Sequence, residues 1–161
     1  MRILSVLLVV AAALPRVALA QSSPPSATDR DAVLATVQKF FDTMTSRDVA
    51  EATRILLPEG RFFSVRDDRP EPRAQALQTY LDGLGKRTET YRERMWEPDV
   101  RIHGAIATVW TRYDFWIDGK FSHCGVDAFD LVKTPEGWKI AGGVYPVERT
   151  GCPPSPLGPP K

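Results

Sequence analysis

Between Val33 and Met44, apolar residues return at three- and four-residue steps: Val33, Leu34, Val37, Phe40, Phe41 and Met44. That spacing predicts one buried face of a helix of roughly four turns. Thr28 stands ahead of it as an N-cap, with Asp31 three positions on in a weak capping-box arrangement. Arg47-Asp48 interrupts the pattern, and a short second helix is expected over residues 49–57, stopped by Pro58 and Gly60. A short strand follows at 61–65. A charged, proline-containing loop at 67–72 then leads to a third helix over 73–84, with Ala76, Leu77, Tyr80, Leu81 and Leu84 as its apolar side. From there the period changes to two. Strands are expected at 89–96, 100–103, 105–117, 120–133 and 137–147, with turns at Pro98-Asp99, Gly104, Asp118-Gly119 and Pro135-Glu136-Gly137. Helices first and antiparallel strands after predict an α+β domain, with the helices on one face of a strongly bent sheet.

The ends of the chain read differently. Arg2 precedes an uncharged apolar run from Ile3 to Leu14, and Ala18-Leu19-Ala20 offers small residues where a signal peptidase reads. Residues 1–20 are therefore expected to be a secretory signal, cut before Gln21. The competing reading, a membrane anchor, needs about 20 apolar residues where this run supplies ~12, with Pro15 and Arg16 directly behind it. Residues 21–27 form a polar, mobile lead, 28–150 one domain, and 151–161 a Pro- and Gly-rich tail without regular structure.

Lys and Arg number 21 against 20 Asp and Glu. That near-balance leaves no basic surplus for phosphates, so nucleic acid is not an expected partner, nor is a membrane once the signal is removed. In an oxidising compartment, the two cysteines, Cys124 and Cys152, point to a disulfide. A reactive thiol or a metal-ligand pair is the alternative, but the spacing fits no CxxC-type site and only two histidines exist. No metal or other cofactor is expected. The sequence contains no GxSxG, HExxH or Walker motif, and Gly142-Gly143 opens no helix that could hold a phosphate.

Three stretches give the chain a family resemblance. One is Ser46-Arg47-Asp48-Val49-Ala50-Glu51-Ala52 running into Leu57-Pro58-Glu59-Gly60-Arg61-Phe62. The second is Val100-Arg101-Ile102-His103-Gly104-Ala105-Ile106-Ala107-Thr108-Val109. The third is the closing hairpin, Phe129-Asp130-Leu131-Val132-Lys133 through Glu136-Gly137-Trp138-Lys139-Ile140. Over roughly residues 28–148 the chain resembles the nuclear-transport-factor-2-like superfamily, also called SnoaL-like or cystatin-like. The resemblance implies a cone: a curled antiparallel sheet wrapped around the N-terminal helices, with a pocket at its open end. Some members of that superfamily are cofactor-free enzymes similar to ketosteroid isomerase, scytalone dehydratase or limonene epoxide hydrolase, and others bind ligands or partners without chemistry. Fold alone does not choose among these.

Turn geometry predicts which residues face the pocket. With Asp118-Gly119 at the centre of a tight turn, Ile117 pairs with Lys120. Asp114 then opposes His123, and Trp110 opposes Asp127. Alternation puts Ile106, Thr108, Trp110, Arg112, Asp114, Trp116, His123, Asp127, Phe129, Leu131, Ile140 and Val144 inside, and Tyr113, Phe115 and Cys124 outside. One β-bulge would invert part of this assignment. On it, Asp127 is the candidate general acid or base, raised in pKa by an apolar strand face and lying where ketosteroid-isomerase-like proteins carry a pocket acid. Asp114 orients His123 or holds it charged, unless the two are an exposed cross-strand pair; Asp127 could equally be a structural carboxylate bonded to backbone. Trp110, Asp114, Phe129 and Tyr113 complete the candidate pocket set, His103 reads as a turn residue and Trp138 as a core anchor. The leading expectation is an exported pocket protein for a small, largely apolar molecule. The alternatives are a cofactor-free isomerase, dehydratase or hydrolase using Asp127, with Trp110 and Tyr113 or His123 assisting, and a non-catalytic module that dimerises through its sheet.

Overall fold

In the computed structural model the described residues are 27–160. The expected signal (1–20) and nearly all of the lead (21–27) lie outside them. Helix α1 spans Ala27–Ser46 and α2 spans Val49–Ile55. The break between them is local chemistry. Arg47 takes a left-handed backbone (φ 60°), and the Asp48 carboxylate accepts a hydrogen bond from the Glu51 amide at 2.9 Å, capping α2. Val33, Val37, Phe40, Phe41 and Met44 are buried along α1, as their spacing requires.

Six strands follow: β1 (Leu56–Arg66), β2 (Arg69–Ala76), β3 (Tyr91–His103), β4 (Ile106–Ile117), β5 (Lys120–Thr134) and β6 (Gly137–Val147), with α3 (Leu77–Leu84) between β2 and β3. They form one curled, unclosed sheet in the order β2-β1-β6-β5-β4-β3. Only the β1–β6 pair is parallel. The α1 helix packs against β3 and β6, and its Phe40 and Phe41 rings meet Phe129 and Phe62 at the core. The architecture is the α+β domain that the order of elements predicts, in the cone that the resemblance implies. No helix among the described residues is long and apolar enough to cross a membrane.

Several expectations are corrected. The second helix ends at Ile55 rather than 57, and β1 runs from Leu56 to Arg66 rather than over 61–65. The charged stretch at 67–72 is not wholly loop: from Arg69 the chain forms β2, which pairs with β1 from Arg69 to Ala76, and α3 accordingly starts at Leu77 rather than 73. Proline hides such a strand from sequence reading because it withholds a ladder donor, a loss tolerated only at a sheet edge, where β2 lies. Residues 91–103 form one strand instead of two. The turn expected at Pro98-Asp99 is a bulge, with Glu97 left-handed (φ 54°) and pairing resumed at Asp99.

The close parallel crossing of β1 and β6 depends on Gly60. A Cβ there would stand 2.0 Å from the Ala141 carbonyl oxygen and 2.8 Å from Leu77 Cδ1. Since the obstacle is backbone, Gly60→Ala is expected to destabilise the fold by more than about 2 kcal/mol, read as a lower urea midpoint at unchanged slope. An unchanged midpoint would show that the two strands separate freely.

Candidate functional site

The concave face of the sheet, α1 and α3 enclose a cavity of about 430 Å³. Its apolar wall comes from Phe40 and Met44 of α1, Phe62, Tyr91, Phe115, Phe129 and Val147. Which strand residues join them is decided by one residue, Ser122. At the hairpin tip the expected register holds: Asp118 and Gly119 both have positive φ (50° and 74°), Ile117 pairs with Lys120 and Trp116 with Phe121. Beyond Phe121 the ladder slips, so that Phe115 opposes His123, Asp114 opposes Cys124, Tyr113 opposes Gly125 and Thr111 opposes Asp127. Ser122 is the extra residue of this bulge. It leaves His123, Asp127, Phe129 and Leu131 facing inward on β5 and reverses the faces of β4.

The candidate residues separate accordingly. Asp127, His123, Tyr113 and Phe129 line the cavity. Trp110 does not: it is 61% exposed on the convex face, beside a shallow groove shared with Asp99, Arg101 and Asp130. Asp114 is also turned away from the cavity. It is buried on the convex side in a two-pronged pair with Arg94, one contact being Nε to Oδ1 at 2.9 Å, and it neither opposes nor orients His123. The physical reason for both corrections is the single bulge.

Alternation also brings in an acid that sequence reasoning missed, Glu93 on β3, opposite Phe115 and on the inner face with Tyr91 and Met95. Glu93 is 9% exposed and Asp127 3%. The two carboxyls are neighbours, close enough for each to shift the other's proton affinity. Loss of hydration, and then the charge of Asp127, push the Glu93 carboxyl well above the usual carboxylate range. Burial pushes Asp127 up to about 7, with the Glu93 carboxyl pulling the other way. Two carboxylates this close cannot both ionise cheaply, so the pair keeps at least one proton near neutrality and titrates as a unit. Asp127 Oδ2 is buried and makes no hydrogen bond.

Tyr80 Oη and Arg87 Nη1 of the lining are likewise buried without a hydrogen bond, and the other polar groups are more committed. Tyr113 Oη donates to the Pro146 carbonyl, and burial raises its pKa. His123 stacks on Phe115 with ring centroids 4.7 Å apart, and its Nδ1 lies 2.9 Å from Ser122 Oγ. Burial, followed by the nearby Arg149 and Arg66 cations, lowers its pKa to about 4, so it is a neutral ring at pH 7 and not the charged one an Asp114 partner would make. Four arginines, Arg66, Arg73, Arg87 and Arg149, also line the cavity. Arg87 lies over the Tyr91 ring at 3.9 Å. The inward sequence pattern of β1 (Phe62, Ser64, Arg66) could have exposed Arg66; Arg73 was hidden with β2 itself.

Cys124 and Cys152 form a disulfide, with Cα atoms 5.9 Å apart. Cys124 bridges to Glu148 across the ladder, one position away from the Val147 that an unbroken register predicts, because Ala141 is a second extra residue in the β5–β6 pair. Such a bond accords with an oxidising compartment. Beyond it, the tail crosses the convex side, where Arg94 Nη2 donates to the Gly158 carbonyl at 2.7 Å.

Comparison with known proteins agrees with this architecture. No curated protein matches the sequence significantly. Among solved structures, the chain is similar to a nuclear-transport-factor-2-like protein of Cytophaga hutchinsonii, with TM-score 0.64 and 14% identity over 73% of this chain and 97% of that one. It is similar also to a cystatin-like-fold protein of Nostoc punctiforme, with TM-score 0.63 and 12% identity over 82% and 97%. A nuclear-transport-factor-2-like superfamily protein of Salmonella enterica serovar Typhimurium gives 0.61 and 14% over 78% and 94%. At these identities the likeness establishes the fold. The model of one sequence family, described as "Putative lumazine-binding", matches residues 28–146. With that match spanning most of the chain and the same cone in its structural neighbours, the protein belongs to this family, on the nuclear-transport-factor-2-like, cystatin-like fold.

Proposed function

We propose that this protein is exported and binds a small, largely apolar ring molecule in its cavity, against Asp127. One observation carries the reading: an aromatic-walled cavity of about 430 Å³, within the range that holds small ligands, with Asp127 Oδ2 buried and unbonded among its lining residues. A buried acceptor without a partner costs stability, and a ligand N–H would satisfy it. The family description names lumazine, a flat fused ring edged with N–H donors and carbonyl acceptors. A carboxyl pair that holds a proton offers the complementary set.

Native mass spectrometry of the protein recovered from the exported fraction is expected to find a co-purifying small molecule, with the chain beginning at Gln21. In titrations with lumazine, Asp127→Leu is expected to weaken binding about tenfold or more, as for loss of a hydrogen bond to a charged group. Equal lumazine affinity in both proteins would remove Asp127 from the site.

The runner-up reading is cofactor-free proton-transfer catalysis, favoured by a buried carboxyl held near pH 7 beside a second one. On that reading, Asp127→Asn abolishes turnover in a fold that stays intact.

The convex face supports a homodimer. Phe63, Val144, Ala128 and Trp110 stand in register across four strands, and Val144 and Trp110 are 50% and 61% exposed. Trp110→Glu is expected to leave only monomer in sedimentation at concentrations where the wild type is dimeric; an unmoved profile would rule this face out.

A further inference from the structure

We infer that the ligand is an anion bound head-out, with one carboxylate, sulfonate or phosphate group held by arginines at the cavity mouth and its uncharged ring body directed inward. The inference rests on the pocket reading above and adds the charge and orientation of what fills it.

The geometry comes from the register. Ser64 of β1 lines the cavity, and Arg73 of β2 is its direct cross-strand partner, so Arg73 shares the inward face. Arg66 lies two residues beyond Ser64 on the same face, and Arg149 two beyond the inward Val147, after the end of β6. All three therefore gather at one end of the cone, on or just beyond neighbouring strands. Asp68 is the acid that pairs with them among the described residues: it takes a two-pronged contact from Arg66 (2.8 and 3.0 Å) and a longer one from Arg149 (3.3 Å). Arg73 makes no ion pair among the described residues. Three guanidiniums, with Asp68 as the paired acid and Asp67 a weaker charge near Arg66, leave a local positive surplus in a chain whose formal charge is only +1.

The other end of the cavity fixes the orientation. Glu93 and Asp127 already resist ionising beside each other, and an anionic head pushed against them would add a third like charge in a dehydrated place. It would also forgo the planar, two-donor forks that arginine offers to an oxyanion. Head-out insertion avoids the repulsion and leaves the aromatic lining and Asp127 Oδ2 to the neutral ring.

Two fluorescent probes with one skeleton test this: 1-anilinonaphthalene-8-sulfonate and the uncharged N-phenyl-1-naphthylamine. Binding is scored as the part of the signal lost in Ser122→Trp, which fills the mouth, so that probe on the convex face does not count. The sulfonate is expected to bind at least about tenfold more tightly than the amine in low salt, and the advantage to fall below about threefold in Arg73→Gln and in ~0.5 M salt, while the amine is unaffected. Equal affinities, or an advantage that survives Arg73→Gln and Arg149→Gln together, would overturn the anion inference and leave the pocket standing. Absence of a Ser122→Trp-sensitive signal for both probes would bring down the pocket reading as well.

Discussion

Replacing Asp127 with Asn is expected to make the protein more stable at pH 8, by about 2–4 kcal/mol, and to change little at pH 4. The folded-state pKa of Asp127 is raised from 3.8 to about 7. A carboxyl raised in this way binds its proton more tightly folded than unfolded. The stability it contributes is complete below about pH 4 and is lost as the pH climbs through about 7. Asparagine has the shape of the protonated acid and never ionises, so it removes the loss without opening a hole. Urea unfolding of both proteins at the two pH values reads the difference directly. A gain independent of pH, or none at pH 8, would mean that the carboxyl is ionised at little cost, and the functional case for it would weaken. Glu93→Gln should shift stability in the same direction, since Glu93 is raised by the same burial and by its neighbour's charge. A group that lowers stability at working pH and could be relieved by one atom's substitution is typical of a binding or catalytic position.

Removing the disulfide should act in the opposite sense. Cys124 and Cys152 are 28 residues apart, and a closed loop of that length restricts the unfolded chain by about 3 kcal/mol. Cys124→Ser with Cys152→Ser is therefore expected to lower stability by about 2–3 kcal/mol, the smaller figure allowing for freedom the tail regains in the folded state. Denatured, unreduced protein should titrate with no free thiol; two thiols per chain would show that the bond does not form.

The fold was legible where one physical signal dominated. The apolar spacing of Val33 to Met44 could only be a helix face, and the start of β6 at 137 follows from the turn at Pro135-Glu136-Gly137. β2 was not legible, because an edge strand needs no apolar alternation and tolerates proline. The site was legible on β5 and not on β4. Asp127 could be singled out because its own strand is apolar. Trp110 and Asp114 were assigned by counting back from Asp118-Gly119, and the count fails at Ser122. An inserted residue in a ladder has no chemical signature: any residue type can be the extra one. Glu93 was lost for the same reason, since the bulge at Glu97–Pro98 separates it from the Gly104 turn that would have set its face.

That extra residue makes Ser122 the position of β5 where a deletion disturbs the interior least. Without it, pairing runs unbroken from the hairpin tip and still sets Phe115 opposite His123 and Thr111 opposite Asp127, so the inward faces are kept. Removing one residue between His123 and Asp127 instead either turns Asp127 out of the cone or takes up the bulge and turns His123 over. A length difference of one therefore has opposite meanings on the two sides of His123. When the chain is aligned with a relative one residue shorter, a gap at Ser122 keeps every inward position matched, and a gap slid beyond Asp127 pairs interior positions with exterior ones over the residues it has passed.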